Sequence, residues 1–250
     1  MMRSPHFALS SALLVTCAAA IIGMSHVGAA SDSPLQMPGP VIHEPVGQYN
    51  GFTYVGRVAN RGDDTTTAHR TSTFVVTYNG FTPQAQAAFQ YAVDVWSSIV
   101  SSPVPIRVTA YWRTDMPPYV LGSAGAASVV RDFPNAPRAN TYYPAALANA
   151  RAGYDVSSSE EIVATFNGNF PWYLGTDGNA RDTFDFATVV LHELGHGLGL
   201  FSSMRVENGN GVWGLGGPAA PMAYDTFMTD AAGQSLLNPQ SYANASAQLA

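Results

Sequence analysis

Residues 186–200 read FATVVLHELGHGLGL, and this stretch decides how the rest of the chain is interpreted. Its apolar residues recur at helical spacing, which predicts a long buried helix that begins at Phe186. Asp185 directly precedes it, and an aspartate at that position can cap a helix by accepting the free backbone N–H groups of its first turn. Strands before this apolar helix predict an α+β fold.

The predicted helix contains the pattern H-E-x-x-H, formed by His192, Glu193 and His196. Residues four positions apart on a helix differ by about 40° around the axis and about 6 Å along it. Both imidazoles therefore face one point, where a cation can take a nitrogen from each, and Zn²⁺ is the ion typical of such a site. Glu193 lies beside that point and can move a proton from the attacking water to a leaving amine. The alternative is a pair of structural histidines with an exposed glutamate.

The segment HELGHGLGL resembles the H-E-x-x-H-x-x-G helix of the metzincin zinc peptidases, in which Gly199 matches the glycine that turns the chain toward a third metal ligand. The resemblance extends over residues 105–237, is specific over 186–227, and is closest to uncharacterised secreted bacterial proteins. It implies a zincin (matrixin-like) catalytic domain, with a twisted mixed sheet packed on the active-site helix and an edge strand that aligns the substrate. The implied activity is zinc-dependent endopeptidase, with Glu193 as general base.

The chain departs from the family pattern at the third ligand. The position that would supply it is Ser202, a poor zinc ligand, and no histidine follows His196. The remaining candidates are Glu207, Tyr224, Asp225 and Asp230. We favour Asp225, because Tyr224 and Asp225 follow a loop long enough to return beneath the helix; the alternative is a carboxylate that caps the following segment. Met222 faintly resembles the family's methionine turn, although a core role is the more common one for such a residue.

The first thirty residues predict a secretory signal peptide, because Arg3 precedes an apolar run that ends in small residues. A membrane anchor and a lipoprotein signal built on Cys17 are the less favoured alternatives. Cys17 is the only cysteine, so the mature chain has no thiol nucleophile, no cysteine-ligated zinc and no cysteine switch. All eleven basic residues are arginine and the net charge is −6, which argues against nucleic acid or an acidic membrane surface as partner.

Residues 31–71 are rich in Pro, Gly, Asp and Thr and predict an extended leader or short pro-segment, with one strand at 52–58. The catalytic domain is expected over 72–250, and because the resembling proteins extend further, we expect a truncated C-terminus. Within the domain we predict strands at 73–78, 105–112, 121–133 and 161–166 and a helix at 83–98. Residues 202–221 are glycine-rich and predicted to be irregular. We expect a monomer that acts on protein or peptide substrates.

Two other functions stay open at this stage. An inactive secreted binding protein that keeps the metal helix is favoured by Ser202, and a hydrolase of non-peptide substrates also fits H-E-x-x-H. Asp177, Asp182 and Asp185 offer oxygen ligands for Ca²⁺, but their spacing does not match an EF-hand loop and favours a solvated turn. His43 and His69 lie in the leader, where we assign them no role.

Overall fold

A computed structural model describes residues 34–45, 71–216 and 219–250, all within one compact unit, Ser33–Ala250. Its elements, in chain order, are β1 (Leu35–Pro38), β2 (Ile42–Pro45), β3 (Phe74–Asn79), α1 (Pro83–Ile99), β4 (Ile106–Arg113), β5 (Val120–Ala126), β6 (Ser128–Arg131), β7 (Tyr143–Pro144), α2 (Ala145–Ala152), β8 (Ile162–Asn167), β9 (Trp172–Tyr173), β10 (Phe184–Asp185), α3 (Phe186–Leu198), β11 (Arg205–Glu207), β12 (Asn210–Val212) and a 3-10 helix (Tyr224–Phe227).

The central element is a five-stranded mixed sheet in the order β2-β5-β8-β4-β3. β3, β4 and β8 run parallel to one another, whereas β5 is antiparallel to β8 and β2 is antiparallel to β5. The predicted α+β class with a mixed sheet is therefore confirmed. β5 is buried along its whole length, because it has a strand on each side and α3 packed against it.

α3 lies against the sheet and against α1. Phe186, at its first turn, has ring centroids within 5.3 Å of Trp112 and 5.1 Å of Phe166, so aromatic packing holds this end of the helix. Further along, a Cβ on Gly197 would lie 2.5 Å from Ile162 Cγ2. Glycine at 197 therefore lets the histidine-bearing turn approach β8 closely.

Most elements predicted from residue periodicity are confirmed with ends shifted by a residue or two. The strand predicted over 121–133 is instead two strands, β5 and β6. The chain bends at Ala127, whose N–H donates to the Glu161 carbonyl at 2.9 Å. β6 then pairs with β1 and β7 in a separate three-stranded sheet. A single strand could not serve both sheets.

α2 and the β11–β12 hairpin are among the elements that were not predicted. α2 follows Pro144 at the end of a turn-rich region and closes with Gly153 in the left-handed conformation. The hairpin β11–β12 interrupts the stretch predicted to be irregular, and Asn208 and Gly209 form its turn with φ of 50° and 79°. An Asn-Gly pair is a typical turn for a tight hairpin.

Part of the predicted leader belongs to the folded unit. β1 pairs with β6, and β2 pairs with β5. The described residues 34–45 therefore run alongside β6 first and then alongside β5. The boundary expected at Ser72 does not separate these residues from the domain. The predicted signal peptide (1–30), the strand at 52–58 and His69 lie outside the described residues. Among the described helices none is long and apolar enough to cross a membrane.

Candidate active site

Both ends of α3 are fixed as its sequence predicts. The Asp185 carboxylate accepts from the Thr188 N–H at 2.8 Å, which confirms the predicted cap. At the other end Gly199 adopts the left-handed conformation with φ of 116°, and its N–H donates to the carbonyls of Gly195 and His196. Trp96 of α1 also donates its indole N–H to the Leu191 carbonyl at 3.0 Å. These contacts hold the histidine-bearing turn at a defined position on the sheet.

The imidazoles of His192 and His196 meet on one side of α3. Their Nε2 atoms are 2.9 Å apart, and the ring centroids are 4.5 Å apart with the ring planes at 89°. His192 is exposed and His196 is half-buried, so the nitrogens can be reached from solvent. The structure thus brings together the two predicted metal ligands, as the spacing requires.

A backbone carbonyl orients His196. Its Nδ1 lies 2.9 Å from the Leu200 oxygen, and because a carbonyl can only accept, Nδ1 carries the hydrogen. In the neutral ring Nε2 is then an acceptor, with its lone pair directed toward His192. A second hydrogen bond of this kind is typical of metal-binding histidines, where it fixes the tautomer and the ring orientation.

The arrangement fits a zinc ion at the position that the two rings share. Two nitrogens bound to one tetrahedral Zn²⁺ at 2.0–2.1 Å are about 3.3 Å apart, and the two Nε2 atoms are 2.9 Å apart. The rings need to separate by only a few tenths of an ångström, which side-chain torsions allow. Two neutral imidazole nitrogens are also the donor type that zinc prefers.

Glu193, the predicted general base, is fully buried, with 0% of its surface exposed. It lies in the same helical turn as the histidines, beside the buried Leu194. Burial holds the carboxylate in one position and away from bulk solvent, which strengthens its electrostatic interaction with any charge nearby.

Asp225 is also fully buried, and its carboxylate accepts four hydrogen bonds. Oδ1 accepts from the Ser202 hydroxyl at 2.7 Å and the Ser203 N–H at 2.9 Å. Oδ2 accepts from the Ser203 hydroxyl and from the Met222 N–H at 2.8 Å. The Asp225 carboxylate therefore connects the segment that follows α3, through Ser202 and Ser203, with Met222 just before the 3-10 helix. Ser202, which stands where the metzincin pattern has its third ligand, is one of its partners.

The structure does not bring Asp225 to the two histidines. Among the described residues no group of three or more His, Cys, Asp or Glu side chains lies close enough to share a cation. Glu207 pairs with Arg205 at 2.6 Å, Asp230 accepts from Tyr242 at 2.6 Å, and Tyr224 is 37% exposed. Asp225 as third ligand therefore stays a prediction, and its hydrogen bonds give it a structural role. Met222 is a buried core residue beside Phe201.

Substituting Asp225 by Asn should destabilise the fold. Each carboxylate oxygen accepts from one backbone N–H, of Ser203 or of Met222, so in either orientation the new amide nitrogen faces a donor. A buried donor without an acceptor costs about 1–3 kcal/mol, or roughly 3–10 °C in Tm for a domain of this size. Thermal denaturation followed by circular dichroism measures the loss of stability, and the zinc content of the same sample tests whether Asp225 is also a metal ligand.

Asp230→Asn is the matched control. Only Oδ1 of Asp230 accepts from backbone N–H groups, those of Ala232 and Gln234, while Oδ2 accepts from the rotatable Tyr242 hydroxyl. The amide nitrogen can face that hydroxyl, so Tm should change by much less. Loss of zinc with an unchanged Tm in Asp225→Asn would instead make Asp225 a metal ligand.

The three aspartates considered for Ca²⁺ do not form a cluster in the described chain. Asp185 caps α3. Asp177 accepts from the Tyr173 hydroxyl and from Asn179, and these hydrogen bonds, that of Tyr173 first, lower the pKa of Asp177 to about 2. The loop is therefore organised by its own hydrogen bonds, as expected for a turn.

Three features could not be predicted from the sequence. They are the hydrogen bond from His196 to the Leu200 carbonyl, the hydrogen bonds from Ser203 to Asp225 and the pairing of β2 with β5. The first two depend on the path of the chain after Gly199, and the third on pairing between residues about eighty positions apart. A backbone carbonyl leaves no signal in the sequence.

No protein-family model, curated protein or solved structure matches the chain.

Proposed function

We propose that the protein is a zinc-dependent peptidase in which His192 and His196 hold the metal and Glu193 is the general base. The single observation that supports this most strongly is the convergence of the two Nε2 atoms to 2.9 Å on one turn of α3. The hydrogen bond from His196 Nδ1 to the Leu200 carbonyl supports it further, because that bond makes Nε2 the acceptor nitrogen of the neutral ring.

When bound, Zn²⁺ supplies Lewis-acid chemistry: it polarises a peptide carbonyl and makes water more acidic. Glu193 would take the proton from the attacking water at its carboxylate and transfer it to the nitrogen of the departing amine. His192 and His196 would hold the metal as neutral ligands, and the Leu200 carbonyl would keep the His196 ring in place.

We further propose a zincin, matrixin-like domain that works outside the cytoplasm. Support comes from the H-E-x-x-H helix packed beneath a mixed sheet, with the antiparallel strand β5 directly against α3. Secretion is supported by the basic, apolar and small-residue order of residues 1–30. Monomer state and protein or peptide substrates remain part of the proposal.

Zinc content and casein hydrolysis of the full chain test this function together. We expect about one zinc per chain by atomic absorption and casein cleavage that a chelator abolishes and added zinc restores. Cleavage that persists after complete metal removal would contradict the proposal.

One observation favours a second function, an inactive binding protein that retains the metal helix. Both Ser202 and Asp225 are engaged in hydrogen bonds with each other rather than facing the histidines. Stoichiometric zinc with no cleavage of casein or peptides would establish that function.

A further inference from the structure

A tryptophan of α1 contacts α3 directly beside each of the two histidines. Trp96 lies near the end of α1, and its indole N–H donates to the Leu191 carbonyl at 3.0 Å. Leu191 immediately precedes His192. In a helix the same carbonyl also accepts from the N–H four positions further on, that of Gly195. The indole is therefore a second donor to a backbone oxygen of the turn that joins His192 to His196.

The six-membered part of the same indole lies beside Gly195, the residue before His196. A Cβ at position 195 would lie 3.4 Å from Trp96 Cζ2 and 3.3 Å from Leu200 Cδ1. The indole and the leucine side chain therefore pack on the same side of the helix, and Gly195 is buried there. Trp96 thus supports the turn at both of its ends, by a hydrogen bond at one and by ring packing at the other.

Leu200 connects this packing to the orientation of His196. Its N–H donates to the Gly195 carbonyl at 2.9 Å, and its own carbonyl lies 2.9 Å from His196 Nδ1. The carbonyls in the last turn of a helix have no partner within the helix, and such ends open more readily than the middle. The direction of the His196 ring therefore depends on how firmly the chain at Leu200 is held.

We infer that Trp96 is a positioning residue for the metal site, which keeps His192 and His196 at the spacing that one ion requires. This inference rests on the proposed function, in which the two histidines hold zinc. Ligands that are held in place before the ion arrives bind it more tightly, because less freedom is lost on binding. Loss of a supporting contact behind the ligands typically lowers metal affinity about 10–100-fold.

Trp96→Phe tests the inference, because it removes the N–H donor and keeps an aromatic ring beside Gly195. We expect the zinc affinity to fall about tenfold, the lower end of the usual range, since Trp96 acts through the backbone and not on a ligand side chain. Titration of the full chain with a competing zinc chelator measures the affinity. The titration is made well below the Tm of the variant, so that global unfolding does not contribute.

Trp172→Phe is the matched control. Trp172 also donates its indole N–H to a backbone carbonyl, that of Asn167 at 2.7 Å. Its ring packs on Phe186 in the first turn of α3, with the ring centroids 5.1 Å apart. The substitution therefore makes the same chemical change at the opposite end of the same helix. Its Tm should fall about as much as that of Trp96→Phe, while its zinc affinity should equal that of the unchanged protein.

A second measurement uses the unchanged protein and does not require a variant that folds. If the Trp96 hydrogen bond favours zinc binding, zinc must favour that hydrogen bond by the same factor, because coupling between two sites is reciprocal. Hydrogen exchange of the Trp96 indole N–H, followed by NMR, should therefore slow about tenfold when zinc is added. Exchange of the Trp172 indole N–H should stay the same.

Equal zinc affinities of Trp96→Phe and the unchanged protein would overturn the inference. Equal losses of affinity in Trp96→Phe and Trp172→Phe would also overturn it, because they would reflect lower stability in general, and so would a Trp96 indole exchange rate that zinc does not alter. These results leave the proposed function in place as long as the unchanged protein binds zinc. Absence of zinc binding by the unchanged protein would instead remove the proposed function, and this inference with it.

Discussion

Replacing Glu193 by Gln should leave zinc bound and reduce casein hydrolysis by about 10²–10⁴-fold, the range expected for removal of a general base. Gln has nearly the same shape as Glu, so the buried position beside Leu194 stays filled. Its amide cannot take a proton from water, and the metal alone then has to activate the nucleophile. The measurement is kcat for a quenched fluorescent peptide, with zinc content determined on the same sample.

Glu207→Gln is the matched control for that variant. Glu207 lies in the exposed strand β11 and pairs with Arg205 at 2.6 Å, so the substitution makes the same chemical change at a residue that takes no part in the proposed proton transfer. We expect its kcat to match that of the unchanged protein. Full activity of Glu193→Gln would overturn the mechanism, whereas equal losses in both variants would point to an effect of negative charge in general.

The elements that were predicted correctly are those whose signal is local. α3 has an apolar helical stripe, an aspartate cap at its start and a glycine at its end, and all three appear in the structure. α1 begins at Pro83, as predicted, and the apolar residues Phe89, Ala92 and Val95 on one of its faces are buried. The convergence of His192 and His196 follows from helix geometry alone. It needs no information about the rest of the fold.

The features that were missed depend on contacts between distant parts of the chain. β1 and β2 each end in a proline, and they are strands only because β6 and β5 supply the pairing partners. The break at Ala127 is set by the Glu161 carbonyl. At the candidate site, the role of Asp225 likewise depends on contacts that the sequence alone does not show. Its sequence position allowed two roles, and only the folded chain shows that Ser202, Ser203 and Met222 donate to its carboxylate.

Replacing either helix histidine by alanine should abolish stoichiometric zinc binding. A metal held by His192 and His196 loses one of its two proposed protein ligands in each variant, and a single remaining imidazole on the helix cannot chelate. We expect the zinc affinity to fall by at least about 100-fold, since even changes outside the ligand set cost 10–100-fold. Titration with a competing zinc chelator measures this, and it does not depend on a peptidase assay.

His43→Ala provides the matched control, because His43 is exposed in β2 and belongs to no group of candidate ligands among the described residues. Its zinc affinity should equal that of the unchanged protein. His196→Ala should also lower stability, because it removes the hydrogen bond from His196 Nδ1 to the Leu200 carbonyl at 2.9 Å, at a cost of about 1 kcal/mol. Retention of one zinc per chain in both variants would place the metal elsewhere, and the peptidase proposal would fail with it.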